Sequence, residues 1–502
     1  MPILGRFSLR IVRCRALGFA HRRAGGLIPP DQDRRLESGG SFRLALRVYL
    51  IVAGLAWFVG CSYGTGSPNP PATPKADGNP NASAAVPNTA AANTAAANGR
   101  AAIRRPVRRR NADNAVADAT SANAKPAAGG ETLVVPSPVG PESWATFRNG
   151  NNQLGIAKTT LPEKPELLWQ FSTSDGVVAC AAIVGEQVYV PCINGELVSL
   201  DRKTGKRQWT YHSTESKNPN DLAPAFKAAP TVAAEVVYVG DEDGTMHAVD
   251  RRTGKARWKF RTGAEIAGSV ALVGEKVIFG SHDSFLYCLK ASDHSLVWKP
   301  FQTENFINCS TAIEADNTFI AGCDTKVRVI NILTGTQVSE VPLGEGAYLI
   351  ASPAVMGDML YVGTHDGRVV AVDWRKQQVV WTFIDPKHPL EYRSSCAVTD
   401  KFVILGGYDK ELHCLDRATG NQLWSFKTRS HIESSPVIVG ERVFCGSGDG
   451  NVYAVTLKDH QESWKFRAGR PVTASPAVGE RCLVIGTEGP DGTVYCFGSK
   501  GN

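Results

Sequence analysis

No apolar run in these 502 residues reaches the length of a membrane span. The uncharged stretch VYLIVAGLAWFVG at 48–60 has thirteen residues, against the ~20 a helix needs to cross a bilayer. The twelve cysteines include no adjacent pair and no Cys-x-x-Cys, and none lies at zinc spacing from a histidine, which excludes a structural zinc site. Charge is modest at 21 % and aromatics stand at 8 %, but 43 % of the chain is hydrophobic, enough to exclude a wholly disordered or collagen-like protein. The net charge of +7 comes entirely from the front. Residues 1–140 hold 18 Lys and Arg against 7 Asp and Glu, leaving 37 against 41 for residues 141–502. The part able to fold is mildly acidic, which excludes nucleic acid as its partner.

Residues 1–61 read as a leader. Arg43 and Arg47 precede the apolar stretch and Cys61 follows it, the layout of a secretory signal. Phe58-Val59-Gly60-Cys61 resembles a bacterial lipobox, with Phe58 where Leu is usual. The resemblance implies lipidation at Cys61, and Ser62 rather than Asp after it implies sorting to the outer membrane. An uncleaved membrane anchor and a chance apolar run are the alternatives. Residues 62–140 are rich in Pro, Ala, Asn, Ser and Gly. Such a stretch buries too little apolar surface to offset its ordering entropy, so a disordered tether is expected. Within it Arg100, Arg104, Arg105, Arg108, Arg109 and Arg110 form a basic cluster, either a solvated spacer or a contact with an anionic membrane surface.

The remainder repeats itself. Trp169, Trp209, Trp258, Trp298, Trp381, Trp424 and Trp464 recur at about 42 residues, with a missing member at Ser339. That period, with short strand-like segments, predicts a β-propeller. Asn194, Asp243, Asp283, Asp324, Asp366, Asp409, Asp449 and Asp491 mark one hairpin in each of eight units, where Asn or Asp before Gly suits a tight turn. The expected fold is all-β, an eight-bladed propeller of four-stranded blades over residues 165–502. The last unit ends without an outer strand, and Trp169 precedes any inner one. The two defects cancel if Trp169 completes the eighth blade, closing the ring with both ends of the chain.

The pattern Asp-x-x-Thr-Gly-x-x-x-Trp, as at 201–209 and 250–258, and Ala-Ser-Pro-Ala-Val at 351–355 and 474–478 resemble the pyrroloquinoline-quinone (PQQ) repeat family. The resemblance covers roughly residues 165–502. It implies the fold but not one function, because the repeat builds both quinone enzymes and cofactor-free scaffolds. The tether and propeller together resemble the lipoprotein propellers of outer-membrane β-barrel assembly, which implies a non-enzymatic envelope scaffold with protein partners and no cofactor. The alternatives are a PQQ-dependent dehydrogenase holding the quinone and Ca²⁺ near the axis, or a ligand-sensing propeller. Residues 141–164, with Trp144, Phe147, Arg148 and Asn149, resemble a lead-in found before such propellers and are expected on the outside of the ring.

No catalytic residue is assigned. The adjacent cysteines that cap the quinone in soluble enzymes of the type are missing, and Asp241-Glu242-Asp243-Gly244 reads as a hairpin turn rather than a calcium loop. His431 and Glu433 read as polar residues at a channel mouth rather than a catalytic dyad. The repeating tryptophans are structural. Cys180/Cys192 and Cys309/Cys323 flank hairpins, and whether either pair is a disulfide depends on register. Phe306, Tyr348, Tyr392, Arg393 and His431 fall just ahead of inner strands. In a propeller those positions lie near the axis on one face, and aromatics with Arg there suit a protein-binding surface.

Overall fold

A computed structural model describes residues 140–500, apart from Lys217, Pro219 and Asn220. The leader, Cys61 and the Arg100–Arg110 cluster lie outside the described residues. Each repeat forms a four-stranded antiparallel sheet, and there are eight such sheets. The strands run A, B, C, D outward from the axis, where A strands of neighbouring blades touch. Blade 2 is typical, with A at Thr231–Val232, B at Val236–Gly240, C at Thr245–Asp250 and D at Ala256–Arg261. All five residues of Val236–Gly240 are buried, because B and C strands are covered on both faces and read as continuous apolar runs. D strands such as Gln378–Ile384 are largely exposed.

Blade 8 takes Ala477–Gly479, Cys482–Gly486 and Thr493–Gly498 from the end of the chain and Glu166–Ser172 from its start. Trp169 lies opposite Cys496 and Ser172 opposite Thr493. The ring closes with strands from both ends, as the repeat count predicts.

The tryptophans fasten each blade to the next. The indole N–H of Trp169 in blade 8 donates to Arg202 O in blade 1 at 2.7 Å, and Trp209 of blade 1 donates to Arg251 O of blade 2 at 3.1 Å. Trp258, Trp298 and Trp381 repeat the bond to Ala291, Ile332 and Arg417. Trp464 makes it to Pro165 O at 3.0 Å, so the clasp survives where the chain is interrupted. Trp424 forms no such bond and stacks on His460 with ring centroids 5.0 Å apart. Small residues face the rings across the sheet, Ala248, Ala371 and Ala454 among them. Cys414 and Cys496 fill the same place, and both are fully buried. In blade 4, where Ser339 replaces the indole, the Ser339 hydroxyl bonds Trp374 O at 3.3 Å. The Trp374 ring packs edge-on against Phe319 at 5.2 Å.

The lead-in is not on the outside of the ring. Residues 142–157 run along the inner edges of the A strands and bond every blade. Trp144 exchanges two backbone bonds with Ile183 of blade 1, and Ala145 O accepts from Val232 of blade 2 at 2.7 Å. Asn151 bonds Leu272 O of blade 3 through its side chain at 2.8 Å. The carbonyls of Asn151, Asn152, Leu154 and Gly155 accept from Ile313, Val355, Val398 and Ile438 of blades 4 to 7, and Glu142 O accepts from Glu480 of blade 8. The A strands present unpaired backbone groups to the axis, and burial without partners is costly. The segment supplies those partners. Arg148 is fully buried and donates to Cys396 O at 2.9 Å. An arc of serines through blades 3 to 8 lies beside it: the N–H of Ser269 bonds Ser310 Oγ, and the relay continues through Ser352, Ser395 and Ser435 to Ser475 at 2.9–3.0 Å.

The Asp-x-x-Thr-Gly turns carry the tryptophans. Asp416 Oδ1 accepts from Thr419 N at 2.8 Å. Gly420 takes φ +74°, and a Cβ there would lie 2.6 Å from the Trp381 ring. Gly357 has φ +60° with open space around it. Gly357→Ala is therefore expected to cost only the left-handed penalty of about 1–2 kcal/mol. Gly420→Ala adds overpacking of about 1–3 kcal/mol. Urea unfolding of the two variants measures the difference, and equal midpoints would mean that the turn does not support the indole.

Candidate functional site

The plug occupies the end of the axis near the A–B turns. The opposite end is a mouth built from two segments per blade, the residues ahead of strand A and the B–C turn. One backbone bond joins them in every blade: Ile193 N to Gly176 O, Glu242 to Ala225, His282 to Glu265, Cys323 to Phe306, His365 to Tyr348, Tyr408 to Glu391, Gly448 to His431 and Glu488 to Pro471, all at 2.9–3.1 Å. Ahead of each strand A the chain alternates. Phe226, Ile266, Ile307, Leu349, Tyr392, Ile432, Val472 and Val177 are buried, and the residues flanking them reach the mouth.

This alternation sorts the expected partner-binding residues. Phe306 and Tyr348 are exposed, at 44 % and 39 %. Arg393 and His431 are half-buried. Tyr392 is 0 % exposed and takes the inward position, so its expected place on the surface is corrected: it is a core residue. Cys180, Cys192, Cys309 and Cys323 form no disulfide. Burial pushes the Cys180 thiol up to about 12, and Cys323 Sγ accepts from Asn308 Nδ2 at 2.8 Å. Asp241–Gly244 is a B–C turn, with Asp241 Oδ1 bonded to Thr245 N at 2.7 Å.

The side chains at the mouth form one connected layer over blades 5 to 7. Arg393 pairs with Glu391 at 3.0 Å and with Glu433 at 3.6 Å. Its guanidinium lies 4.8 Å from the centre of the Tyr408 ring, a cation–π distance. Tyr408 stacks on His431 at 4.8 Å, and Glu391 also pairs with His365. His431 and Glu433 thus engage different partners and form no dyad. Across the mouth Lys227 meets Glu242 at 2.6 Å and Glu265 at 3.6 Å, and His282 stacks on Phe306 at 5.4 Å. Among the described residues Glu242, Glu265, Glu391, Glu433 and Glu488 outnumber Lys227, Arg393 and Arg470, whose guanidinium reaches Gly489 of the blade 8 turn, so the layer carries negative charge. The motif reading missed Glu391 and Tyr408, which align with other mouth residues only once the blades are in register. Among donor groups suited to a metal, Asp385, Asp409 and His413 converge behind the mouth; their sequence spacing matches no metal motif.

Burial raises the Glu433 carboxyl, and Glu488 and Glu391 add to it against the pull of Arg393. Burial, with Arg393 nearby, lowers His431. A carboxyl raised in the folded state above its ordinary 4.5 contributes stability that is full below that value and lost as pH rises through the folded value. At neutral pH the ionised Glu433 is therefore a cost. Glu433→Gln is expected to raise the melting temperature at pH 7, with the gain fading to nothing below about pH 4.5. A fall at pH 7 would show that the Arg393 pair outweighs burial.

An eight-bladed ring with this turn chemistry, plugged at one end and acidic at the other, defines a PQQ-repeat propeller. Residues 219–391 and 380–502 match the family described as outer membrane protein assembly factor BamB, and the chain belongs to that family. BamB of Shewanella oneidensis is 21 % identical over 352 residues, 58 % of this chain and 89 % of that one. The crystal structure of BamB from Moraxella catarrhalis superposes with a TM-score of 0.55 at 19 % identity, over 67 % of this chain and 98 % of that one. Quinohemoprotein alcohol dehydrogenase from Comamonas testosteroni gives 0.61 at 14 % identity, over 72 % and 81 %. At these identities the structural likeness is one of fold alone.

Proposed function

We propose that this chain is a non-enzymatic scaffold of the bacterial cell envelope, tethered to the outer membrane through a lipidated Cys61 and binding other proteins during outer-membrane protein assembly. Family membership supports the setting. The mouth carries the reading of its chemistry: exposed Phe306 and Tyr348 stand within a belt of five glutamates. Aromatic anchors beside charge of one sign suit a protein segment bearing Lys or Arg, with rings providing burial and carboxylates providing orientation. The outer D strands of blades 4 to 6 add apolar area, with Val338, Val380, Ile384 and Leu423 about half exposed. The Arg100–Arg110 cluster fits a role against anionic headgroups at the membrane.

The competing occupant of the mouth is the quinone of the dehydrogenases that share this fold. Pyrroloquinoline quinone is a tricarboxylate. At this mouth it would meet five glutamates against Lys227 and Arg393, both already paired, and Arg470 at the blade 8 turn. The residues present do not fit it, and no step is derived through it.

Phe306→Ala and Tyr348→Ala are expected to weaken a purified envelope partner by about 1–2 kcal/mol or more at a hot spot. Both should leave the melting temperature unchanged within experimental error. Raising salt should weaken the complex further, because rim charges are screened. Micromolar PQQ binding with alcohol-dependent dye reduction would overturn the scaffold reading.

A further inference from the structure

Four residues after its Trp, the D strand of four blades ends in a hydroxyl that serves the blade's own turns, whereas blade 7 has Ala468 there. Thr173, Thr262 and Thr428 hold this place after Trp169, Trp258 and Trp424, and Ser213 holds it after Trp209. Their hydroxyls donate to backbone carbonyls, as Thr262 does to Gly244 and Ala264 at 2.9 and 2.8 Å and Ser213 does to Pro224 at 2.8 Å. After Trp381 the residue is Asp385. Its carboxylate is buried and accepts from Lys387 N at 2.8 Å. Among the described residues no Lys or Arg pairs with it.

Asp385 meets two other buried groups. It, Asp409 and His413 each place a donor atom within 4.8 Å of the other two. His413 Nε2 lies 2.6 Å from Asp409 Oδ2. The cluster has a further wall in Tyr392, which is 0 % exposed and whose hydroxyl has no hydrogen-bond partner. The tip of its ring and the Asp409 carboxylate flank Gly407 together. A Cβ on Gly407 would lie 2.4 Å from Asp409 Oδ1 and 3.0 Å from Tyr392 Cε1. Asp409 and Asp385 are the leading charges acting on the phenol, and together with burial they push its ionisation up.

Blade 2 supplies the internal control. There His247 Nδ1 bonds Tyr211 Oη at 2.8 Å and Nε2 bonds Asp241 Oδ2 at 2.8 Å, so the imidazole is satisfied on both sides. Phe226 packs edge-on to it at 5.3 Å. The corresponding residues beside His413 are Phe383, Tyr392 and Asp385, in place of Tyr211, Phe226 and Ser213. The hydroxyl that bonds the imidazole Nδ1 in blade 2 has no counterpart, so His413 Nδ1 has no hydrogen-bond partner among the described residues, and a carboxylate has been added. Two buried carboxylates, an imidazole and an unpartnered phenol then converge without a cation, an arrangement whose burial is expensive unless a counter-charge completes it.

We propose that Asp385, Asp409, His413 and Tyr392 form a binding site for one divalent transition-metal cation, Mn²⁺ or Zn²⁺. Two carboxylates neutralise its charge. The imidazole selects against Ca²⁺ and Mg²⁺, which prefer all-oxygen shells. Ligation through His413 Nε2 displaces the proton now shared with Asp409. The cation ties the end of the blade 5 D strand to the B–C turn of blade 6, and so anchors the connection that carries Glu391 and Arg393 to the mouth.

Full-length protein stripped with EDTA and titrated with MnCl₂ is expected to take up one Mn²⁺ per chain, read as loss of the free-ion electron paramagnetic resonance signal. Saturation should raise the melting temperature by several degrees or so. ZnCl₂ should release the Mn²⁺, and millimolar CaCl₂ should not. Asp385→Thr restores the residue found in blades 2, 6 and 8. It is expected to weaken Mn²⁺ about tenfold or more while holding or raising the metal-free melting temperature. Tyr392→Phe, which removes only the hydroxyl, should weaken Mn²⁺ by several fold at unchanged metal-free stability. It decides the matter alone if Asp385→Thr fails to fold. No uptake by the unaltered protein, or uptake by either folded variant at undiminished affinity, overturns the site.

Discussion

The ring depends on one repeated contact, the indole of every D strand except that of blade 4 lying on the turn of the next blade. A four-stranded sheet has two apolar faces and no means of covering them alone. The tryptophan rings bury ~150–250 Å² each, which at ~25 cal/mol per Å² is ~4–6 kcal/mol as an upper bound. The contact also requires a positive φ beneath the ring, which His294 and His460 supply under Trp258 and Trp424 and glycine supplies under four others. Gly205, Gly254, Gly335 and Gly420 all have positive φ and lie so close to Trp169, Trp209, Trp298 and Trp381 that a Cβ would collide. Turn chemistry and inter-blade packing are thus one constraint. The closure between Glu166–Ser172 and Thr493–Gly498 obeys it, because Trp169 and Trp464 make their clasps across the chain termini of the propeller.

The axis poses the opposite problem, because the innermost strands turn backbone N–H and C=O groups inward. Residues 142–157 answer it by bonding all eight blades. The path needs Arg148, Asn149 and Gln153 at positive φ, a conformation that costs about 1–2 kcal/mol for residues other than glycine. Their surroundings hold them there: Arg148 is fully buried and bonded to Cys396 O, and Gln153 reaches Thr311 O. With that end filled, the opposite mouth is where side chains from every blade meet solvent around the axis.

Repeats and turns were legible in the sequence because the hairpin turn recurs eight times and a period survives local noise, and closure followed from counting the units. In blade 2 the apolar runs at 236–239, 246–249 and 256–260 predict strands B, C and D to within a residue, whereas strand A, expected from Ala228, begins at Thr231. What occurs once was harder to read. Phe147-Arg148-Asn149 gives no periodic signal and is expected outside the ring with the lead-in it resembles, whereas the segment is held inside by backbone bonds that composition does not encode. Tyr392 was misplaced for a related reason. An aromatic beside Arg393 resembles a surface anchor, but the alternation ahead of strand A turns position 392 inward and positions 391 and 393 outward. Trp374 escaped because it fills the gap left by Ser339 from the neighbouring blade, outside the 42-residue register.

A ring of equivalent blades makes its own departures informative, since each position has seven counterparts built for packing alone. Ahead of strand A in blades 1 and 8 the mouth carries Gly176, Val178, Pro471 and Thr473, residues without charge. By contrast, the connection from blade 5 to blade 6 concentrates Asp385, Glu391, Tyr392 and Arg393, and the next connection supplies His431 and Glu433. Packing does not ask for this. Arg393 holds Glu391 and Glu433 with one guanidinium while lying on Tyr408, which leaves the glutamates of this sector only partly neutralised. An incoming cationic group would complete that balance at little cost in reorganisation, because the donors are already oriented by the backbone bonds beneath them. The fold supplies eightfold symmetry for stability, and one sector of the mouth breaks it where a partner can be told apart.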